Sequence, residues 1–139
     1  MTTVILDGAH LSIDDVWTVA VDGADAILDE SARTRVQTCH EAVMRLVAAG
    51  EIAYGVTTGF GAFKKRLIAL EQTAVLQVNL IRSHAAGVGP LADEPTVRAM
   101  LLVRANTLAK GHSGVRPLVI ETLLDLLRRR VTPVVPVQG

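Results

Sequence analysis

Apolar residues recur at helical spacing in five successive segments of this chain, and glycine closes four of them. Such a pattern favours helices packed on helices through their apolar stripes. The first helix is predicted to begin after Ser12, with Ser12 as its cap and Asp15 in the acidic first turn. Its stripe is Ile13, Val16, Trp17 and Ala20, and Asp22-Gly23 ends it. The second runs from about Ser31 to Ala49 on Ala32, Val36, Cys39, Val43 and Leu46, with Gly50 at its end. The third, from about Ala69 to Ala86, carries Leu70, Ala74, Gln77, Ile81 and His84 before Gly87, Gly89 and Pro90 break it. The fourth opens near Asp93 or Glu94, with Pro95 in its first turn, and continues through Met100, Leu101 and Leu108 to Lys110-Gly111. Ser113 is predicted to cap the fifth, whose stripe is Ile120, Leu123, Leu124 and Leu127. Arg128-Arg129-Arg130 closes it with the charge that a helix C-terminus favours.

Three stretches fall outside this pattern. Thr3-Val4-Ile5-Leu6 reads as a short lead-in strand ending at the Asp7-Gly8 turn. Residues 131–139 are extended, because Pro133 and Pro136 forbid helix there. They are also apolar, where a terminal tail is commonly polar, which suggests a chain cut inside a larger fold. Between the second and third helices lies Tyr54-Gly55-Val56-Thr57-Thr58-Gly59-Phe60-Gly61. Its three glycines disfavour both helix and central strand, and they permit close backbone approach or lid-like movement.

Composition narrows the function classes. With 139 residues, half of them apolar, the chain can bury a real core. Its 14 basic and 14 acidic side chains balance, which argues against nucleic acid as a partner. No apolar run reaches the length of a membrane span, and the first residues lack the blocks of a signal peptide. The lone Cys39 excludes an internal disulfide and suits a reducing cytosol. High apolarity at zero net charge is a poor combination for a free monomer and hints at a partner.

Few residues offer chemistry. The glycine-rich loop has no P-loop lysine, and Gly59-Phe60-Gly61 is too short for a dinucleotide fingerprint. Tyr54 at its mouth either packs as an anchor or serves as an acid or base, and spacing alone leaves both open. His84 is likewise a capping or core group, or a ligand contact. Cys39 and His40 point about 100° apart around a helix, and no histidine pair or Cys-x-x-Cys has ligand spacing, so no metal site is expected. His112 suits local bonding at a helix junction, and Lys64-Lys65-Arg66 a solvated surface. Asn106, Lys110 and Arg116 either form an internal network or face solvent.

The strings themselves carry a resemblance. The loop from Tyr54 to Gly61 closely resembles the tyrosine-bearing loop of the aromatic amino acid ammonia-lyases and aminomutases. Asn79-Leu80-Ile81-Arg82-Ser83-His84-Ala85-Ala86-Gly87-Val88-Gly89 resembles that family's second block, and the stretch from Arg104 to Pro117 its third. Pro133-Val134-Val135-Pro136-Val137-Gln138-Gly139 is similar to the lead-in to the family's prosthetic-group motif. The blocks occur in order and cover essentially the whole chain, but only the N-terminal portion of a family member.

The resemblance implies a mainly α fold, that of the N-terminal helical domain of the fumarase/aspartase-like lyases, with residues 1–139 an incomplete catalytic domain. It implies a methylidene-imidazolone electrophile, which the family forms from an Ala-Ser-Gly tripeptide. No such tripeptide occurs in these 139 residues, so the isolated chain is expected to be inactive. By motif, Tyr54 is the catalytic acid or base and His84 faces the substrate side chain. Gly55, Thr57, Thr58, Gly59, Phe60 and Gly61 support the site. Ser83-His84 resembles the pairing of the histidine-acting members, which implies histidine as substrate and urocanate as product. Tyrosine ammonia-lyase or tyrosine 2,3-aminomutase chemistry is the alternative, and a truncated, non-catalytic paralogue acting by helix packing is a third. The implied partners are the remainder of the protein and further subunits of a homotetramer, in the cytoplasm, with no nucleic acid, membrane, nucleotide or metal.

Overall fold

The computed structural model describes residues 3–51 and 70–138. The loop bearing Tyr54, Gly55, Thr57, Thr58, Gly59, Phe60 and Gly61 therefore lies outside the described residues, as do Lys64-Lys65-Arg66. The elements follow the order β1 (Thr3–Leu6), α1 (Ile13–Ala20), β2 (Asp25–Leu28), α2 (Glu30–Ala48), α3 (Leu70–His84), β3 (Val88–Leu91), α4 (Glu94–Ala109), α5 (Pro117–Arg128) and β4 (Pro136–Gln138). The mainly helical reading is thus correct.

Local chemistry accounts for most helix starts. At α1, Ser12 Oγ accepts the Asp15 N–H at 3.1 Å, while Asp15 Oδ2 accepts the Ser12 N–H at 2.9 Å. This reciprocal box is the one the sequence predicts. Asp29 caps α2 by accepting the Ser31 and Ala32 N–H groups, and Asp93 caps α4 by accepting the Thr96 N–H. Gly50 follows α2 with φ of 69°, the left-handed conformation usual just past a helix end.

Four expectations need correction. Ser113 does not cap α5, which begins at Pro117 behind Arg116 with no side-chain cap. Gly114, at φ of 67°, turns the chain there, and a residue preceding proline is biased away from helix. In α1 the buried stripe is rotated: Val19 and Ala20 are buried and Val16 packs on the core, whereas Ile13 is 87% and Trp17 63% exposed. Gln77, Ile81 and His84 on α3 are exposed as well, Ile81 by 70%. Finally, β2 has no counterpart in the sequence reading. It pairs in parallel with β1, Thr3 opposite Asp25 through Leu6 opposite Leu28, and α1 makes the crossover. The alternation of partly buried Ala24, Ala26 and Leu28 with exposed Asp25 and Ile27 was its signal, too short to register.

The core gathers around α4, which packs against α1, α2, α5 and β1. Leu102, Ala105 and Ala109 are fully buried on α4, with Leu6 from β1, Val19 from α1, Ala32 from α2 and Ile120 from α5. The small side chains at Ala32, Ala105 and Ala109 let backbones approach. Arg98, only 5% exposed, lies at the start of α4 among these apolar groups. Its Nη2 donates to the Val19 carbonyl at 2.9 Å and its Nε to the Ala20 carbonyl at 3.2 Å. Its Nη1 donates to the Leu127 carbonyl at 3.1 Å. These carbonyls belong to the last turns of α1 and α5, which helix geometry leaves without intrahelical partners. One cation therefore serves two negative helix ends.

Replacing Arg98 with Met keeps much of the volume but strips all three donors. Expected is a loss on the order of 3 kcal/mol of stability, read as a lower urea midpoint. An unchanged midpoint would show that the three carbonyls find other donors.

Candidate active site

The motif blocks the sequence points to have two described parts, and of the candidate site residues only His84 is among the described residues. The first is the end of α3 and the ribbon beyond it. His84 is the last residue of α3 and is exposed. Its Nδ1 lies 2.9 Å from the Leu80 carbonyl oxygen and 3.1 Å from Ser83 Oγ. A few residues later β3 pairs antiparallel with β4, Val88 opposite Gln138 and Leu91 opposite Pro136. The pairing brings the chain's last described residues beside the segment that follows His84. At Gly89 the φ of 85° favours glycine, and a Cβ there would stand 2.8 Å from Gln138 Oε1. One on Gly87 would stand 3.2 Å from Pro136 Cγ. Along the sequence these glycines read only as helix breakers; in the fold they also lie against residues 136–138.

The second part is the junction between α4 and α5. Here Asn106 Oδ1 accepts the Gly8 N–H at 3.0 Å across the fold. Of the possible internal network, Asn106 alone is engaged, while Lys110 and Arg116 are exposed. His112 is exposed too. Gly8 has φ of 86°, and a Cβ on it would meet the Lys110 backbone nitrogen at 2.8 Å. From α2, Arg35 Nη2 donates to the Asp7 carbonyl at 2.7 Å, and His40 Nδ1 donates to the Gly114 carbonyl at 2.9 Å. His40 is thus a bracing group, and Cys39 beside it is half-buried. A Cβ on Gly114 would lie 2.6 Å from Val43 Cγ2. The loop from Lys110 to Arg116 is therefore pressed onto α2 and onto the turn after β1.

Charge pairing stiffens that turn. Asp7 Oδ1 accepts the Ala9 and His10 N–H groups at 2.8 and 3.0 Å, and Oδ2 meets His10 Nδ1 at 2.5 Å. The hydrogen bond from His10, helped by the two backbone donors, holds the Asp7 carboxyl well below its ordinary value. The same bond, with the attraction of the carboxylate, raises the His10 imidazole above its ordinary value. Elsewhere, Arg128 and Arg129 both pair with Asp125, the latter at 2.8 Å, and Arg33 of α2 pairs with Glu121 of α5. Arg128 first, then Arg129, lowers the Asp125 carboxyl.

A cleft of about 220 Å³ lies between the end of α1 and the start of α4, lined by Asp22, Glu94, Arg98 and Arg130. It does not include His84. Among the described residues no cluster of three or more His, Cys, Asp or Glu is placed to hold a metal ion. No described helix is long and apolar enough to cross a membrane.

Comparison with known proteins decides the family. The model of the aromatic amino acid lyases matches residues 11–139. The chain belongs to the aromatic amino acid lyase family. A relative from Chloroflexus aurantiacus named histidine ammonia-lyase is 52% identical over 139 residues, covering 98% of this chain and 27% of its own. A crystal structure of tyrosine aminomutase from Streptomyces globisporus matches with a TM-score of 0.94 at 38% identity, over 99% of this chain and 26% of that one. A histidine ammonia-lyase structure from Trypanosoma cruzi matches with a TM-score of 0.90 at 34% identity, over 99% and 26%. The chain thus spans about a quarter of the length of these lyase relatives, and its fold is that of the corresponding part of them.

Two outcomes check this geometry. Gly114→Ala is expected to cost on the order of 2 kcal/mol, against about 1 kcal/mol for Gly50→Ala, where only the positive φ opposes the side chain. Equal urea midpoints for the two variants would contradict the tight contact with Val43. The Asp7–His10 pair sets a pH window. A raised His10 value means its contribution is complete below the ordinary 6.5 and fades as pH climbs through the raised value. A lowered Asp7 value means its contribution is complete above 3.8 and fades as pH falls through the depressed value. The pair therefore stabilises fully between 3.8 and 6.5, and in Asp7→Asn the NMR titration midpoint of His10 should fall.

Proposed function

We propose that residues 1–139 are the N-terminal part of a lyase catalytic domain that eliminates ammonia from L-histidine to give urocanate. The observation that carries this reading is the Ser83-His84 pair at the exposed end of α3, in a chain 52% identical to a relative named histidine ammonia-lyase. An imidazole side chain can hydrogen-bond with His84, which a leucine at that position could not do. The chemical difficulty is the β-proton of the substrate, which is too weakly acidic to leave unaided. Tyr54 is assigned as the acid or base that takes it, with Gly55, Thr57, Thr58, Gly59, Phe60 and Gly61 supporting the site. Loss of that proton and of ammonia leaves the α,β-unsaturated acid.

The methylidene-imidazolone group of this family, formed from Ala-Ser-Gly, supplies the electrophile that makes the amine a leaving group. The β3–β4 pairing fits it, because the segment resembling the lead-in to that tripeptide is held against Gly87 and Gly89, next to the end of α3. This chain's part is to hold that lead-in, to aim His84 and to move a proton through Tyr54. Val75, Val78 and Ile81 on α3, with Val88, Leu91, Val134 and Val137 on the ribbon and its approach, are exposed. Such an apolar surface supports contact with the remainder of the protein and with other subunits of a homotetramer. The lone Cys39 supports placing the enzyme in the reducing cytoplasm.

The match to tyrosine aminomutase favours a second reading, in which tyrosine is the substrate and the outcome is coumarate or β-tyrosine. Product analysis with histidine and tyrosine, using the protein at its natural length, separates the readings. Urocanate is expected, and coumarate or β-tyrosine alone would replace the first reading with the second. The 139 residues by themselves should release no urocanate. At natural length, Tyr54→Phe should lower kcat by about 100-fold or more while the absorbance of the electrophile persists. Full activity in that variant would remove Tyr54 from the proton transfer.

A further inference from the structure

The cleft between the end of α1 and the start of α4 holds charges of both signs that do not meet. Asp22, Glu94, Arg98 and Arg130 line it. Arg98 is nearly buried and gives its hydrogen bonds to carbonyl oxygens, so no carboxylate neutralises its charge. Among the described residues Arg130 and Asp22 have no ion-pair partner, although Arg128 and Arg129 beside Arg130 both pair with Asp125. The Glu94 carboxylate accepts only from the Thr132 hydroxyl, at 3.4 Å. Opposite charges that share a cleft of about 220 Å³ without touching leave a gap between them. A cavity of that size has room for several waters, and so for a small organic molecule.

The backbone under Arg130 points the same way. The Arg130 N–H bonds the Leu127 carbonyl at 3.2 Å and the Val131 N–H bonds the Leu126 carbonyl at 2.9 Å. Arg130 thus closes α5 with φ of 55°, where glycine is the usual residue because a side chain is strained there. The guanidinium carried by this backbone lies over Gly23, where a Cβ would stand 3.2 Å from Nη2. A strained arginine faces a residue without a side chain, and the guanidinium reaches the cleft. An anion alone would be drawn by two guanidinium groups and repelled by two carboxylates, and a cation alone would meet the reverse. A molecule carrying both charges satisfies both sets.

We propose that this cleft binds a free α-amino acid as its zwitterion, the carboxylate against Arg130 and the ammonium between Asp22 and Glu94. Recognition is of the charged groups that every α-amino acid shares, and the ligand ties the turn after α1 to the start of α4 and the end of α5. The cleft does not include His84, and binding there needs no turnover, so the proposal stands apart from the reading of the reaction.

Equilibrium dialysis of the natural-length protein with labelled glycine tests it. Saturable binding of at least one glycine per chain is expected, and it should survive His84→Ala. Alanine should displace the label as well as glycine does. Acetate and methylammonium, each with one charge, should do so about tenfold or more weakly. Arg130→Gln and Glu94→Gln should each weaken glycine by about tenfold or more. Both side chains are exposed, so each variant should keep its urea midpoint and its turnover. Absence of saturable binding overturns the proposal. So does binding that is lost in His84→Ala, or that neither cleft variant weakens, since glycine then sits elsewhere. Acetate competing as well as glycine would show a site for anions and overturn the zwitterion.

Discussion

The guanidinium of Arg98 is the contact on which the arrangement of the helices depends. It is buried, charged and spent entirely on carbonyl oxygens of two other helices. Burying a cation is costly unless its donors are met, and the open carbonyls at a helix end are costly unless they find donors. Each defect here answers the other. The planar fork also fixes geometry, since α1 and α5 must present their last turns to one point near the start of α4. A lysine in that place offers a point charge and could not span the three acceptors with the same reach. With those ends tied, the stripe of Leu102, Ala105, Leu108 and Ala109 is left to fill the space between α1, α2, α5 and β1.

The other end of α4 is governed by the absence of side chains. Gly8, Gly111 and Gly114 each have positive φ, and each sits where a Cβ would press on a neighbour: the backbone of Lys110, Arg35 of α2, and Val43 of α2. The junction between α4 and α5 is consequently a close-packed turn, braced by His40, Arg35 and Asn106. A similar close approach repeats at Gly87 and Gly89, where residues 136–138 lie against the chain just past His84. Two of the motif blocks thus owe their glycines to packing. That packing holds the end of α3 and the chain's last described residues in one neighbourhood, which is what a composite site needs.

Much of the fold was legible because its signals are local. The capping box at Ser12 and Asp15, the Asp93 cap with Pro95 behind it, the glycine after α2 and the stripe of α5 are each satisfied within a few residues. What escaped notice is settled at a distance. The burial of α1 is turned toward Val19 because α4 and its Arg98 lie on that side, leaving Ile13 and Trp17 outside. Strand β2 is four residues long and owes its existence to β1. The start of α5 is postponed from Ser113 to Pro117 because Gly114 is engaged with α2. Past His84, the glycines at 87 and 89 were legible as helix breakers, but the pairing of Val88 with Gln138 was not.

By itself the sequence determined that the chain is helical, where most of its helices open and close, and which blocks tie it to the aromatic amino acid lyases, because periodicity, caps and motif strings are written in consecutive residues. Only the tertiary structure decided which faces are buried, that Arg98 joins two helix ends, and that the segment after His84 pairs with residues 136–138. Those outcomes depend on which groups meet after the chain has folded, and no spacing along the chain encodes a meeting between residues as far apart as Val19 and Arg98, or Val88 and Gln138.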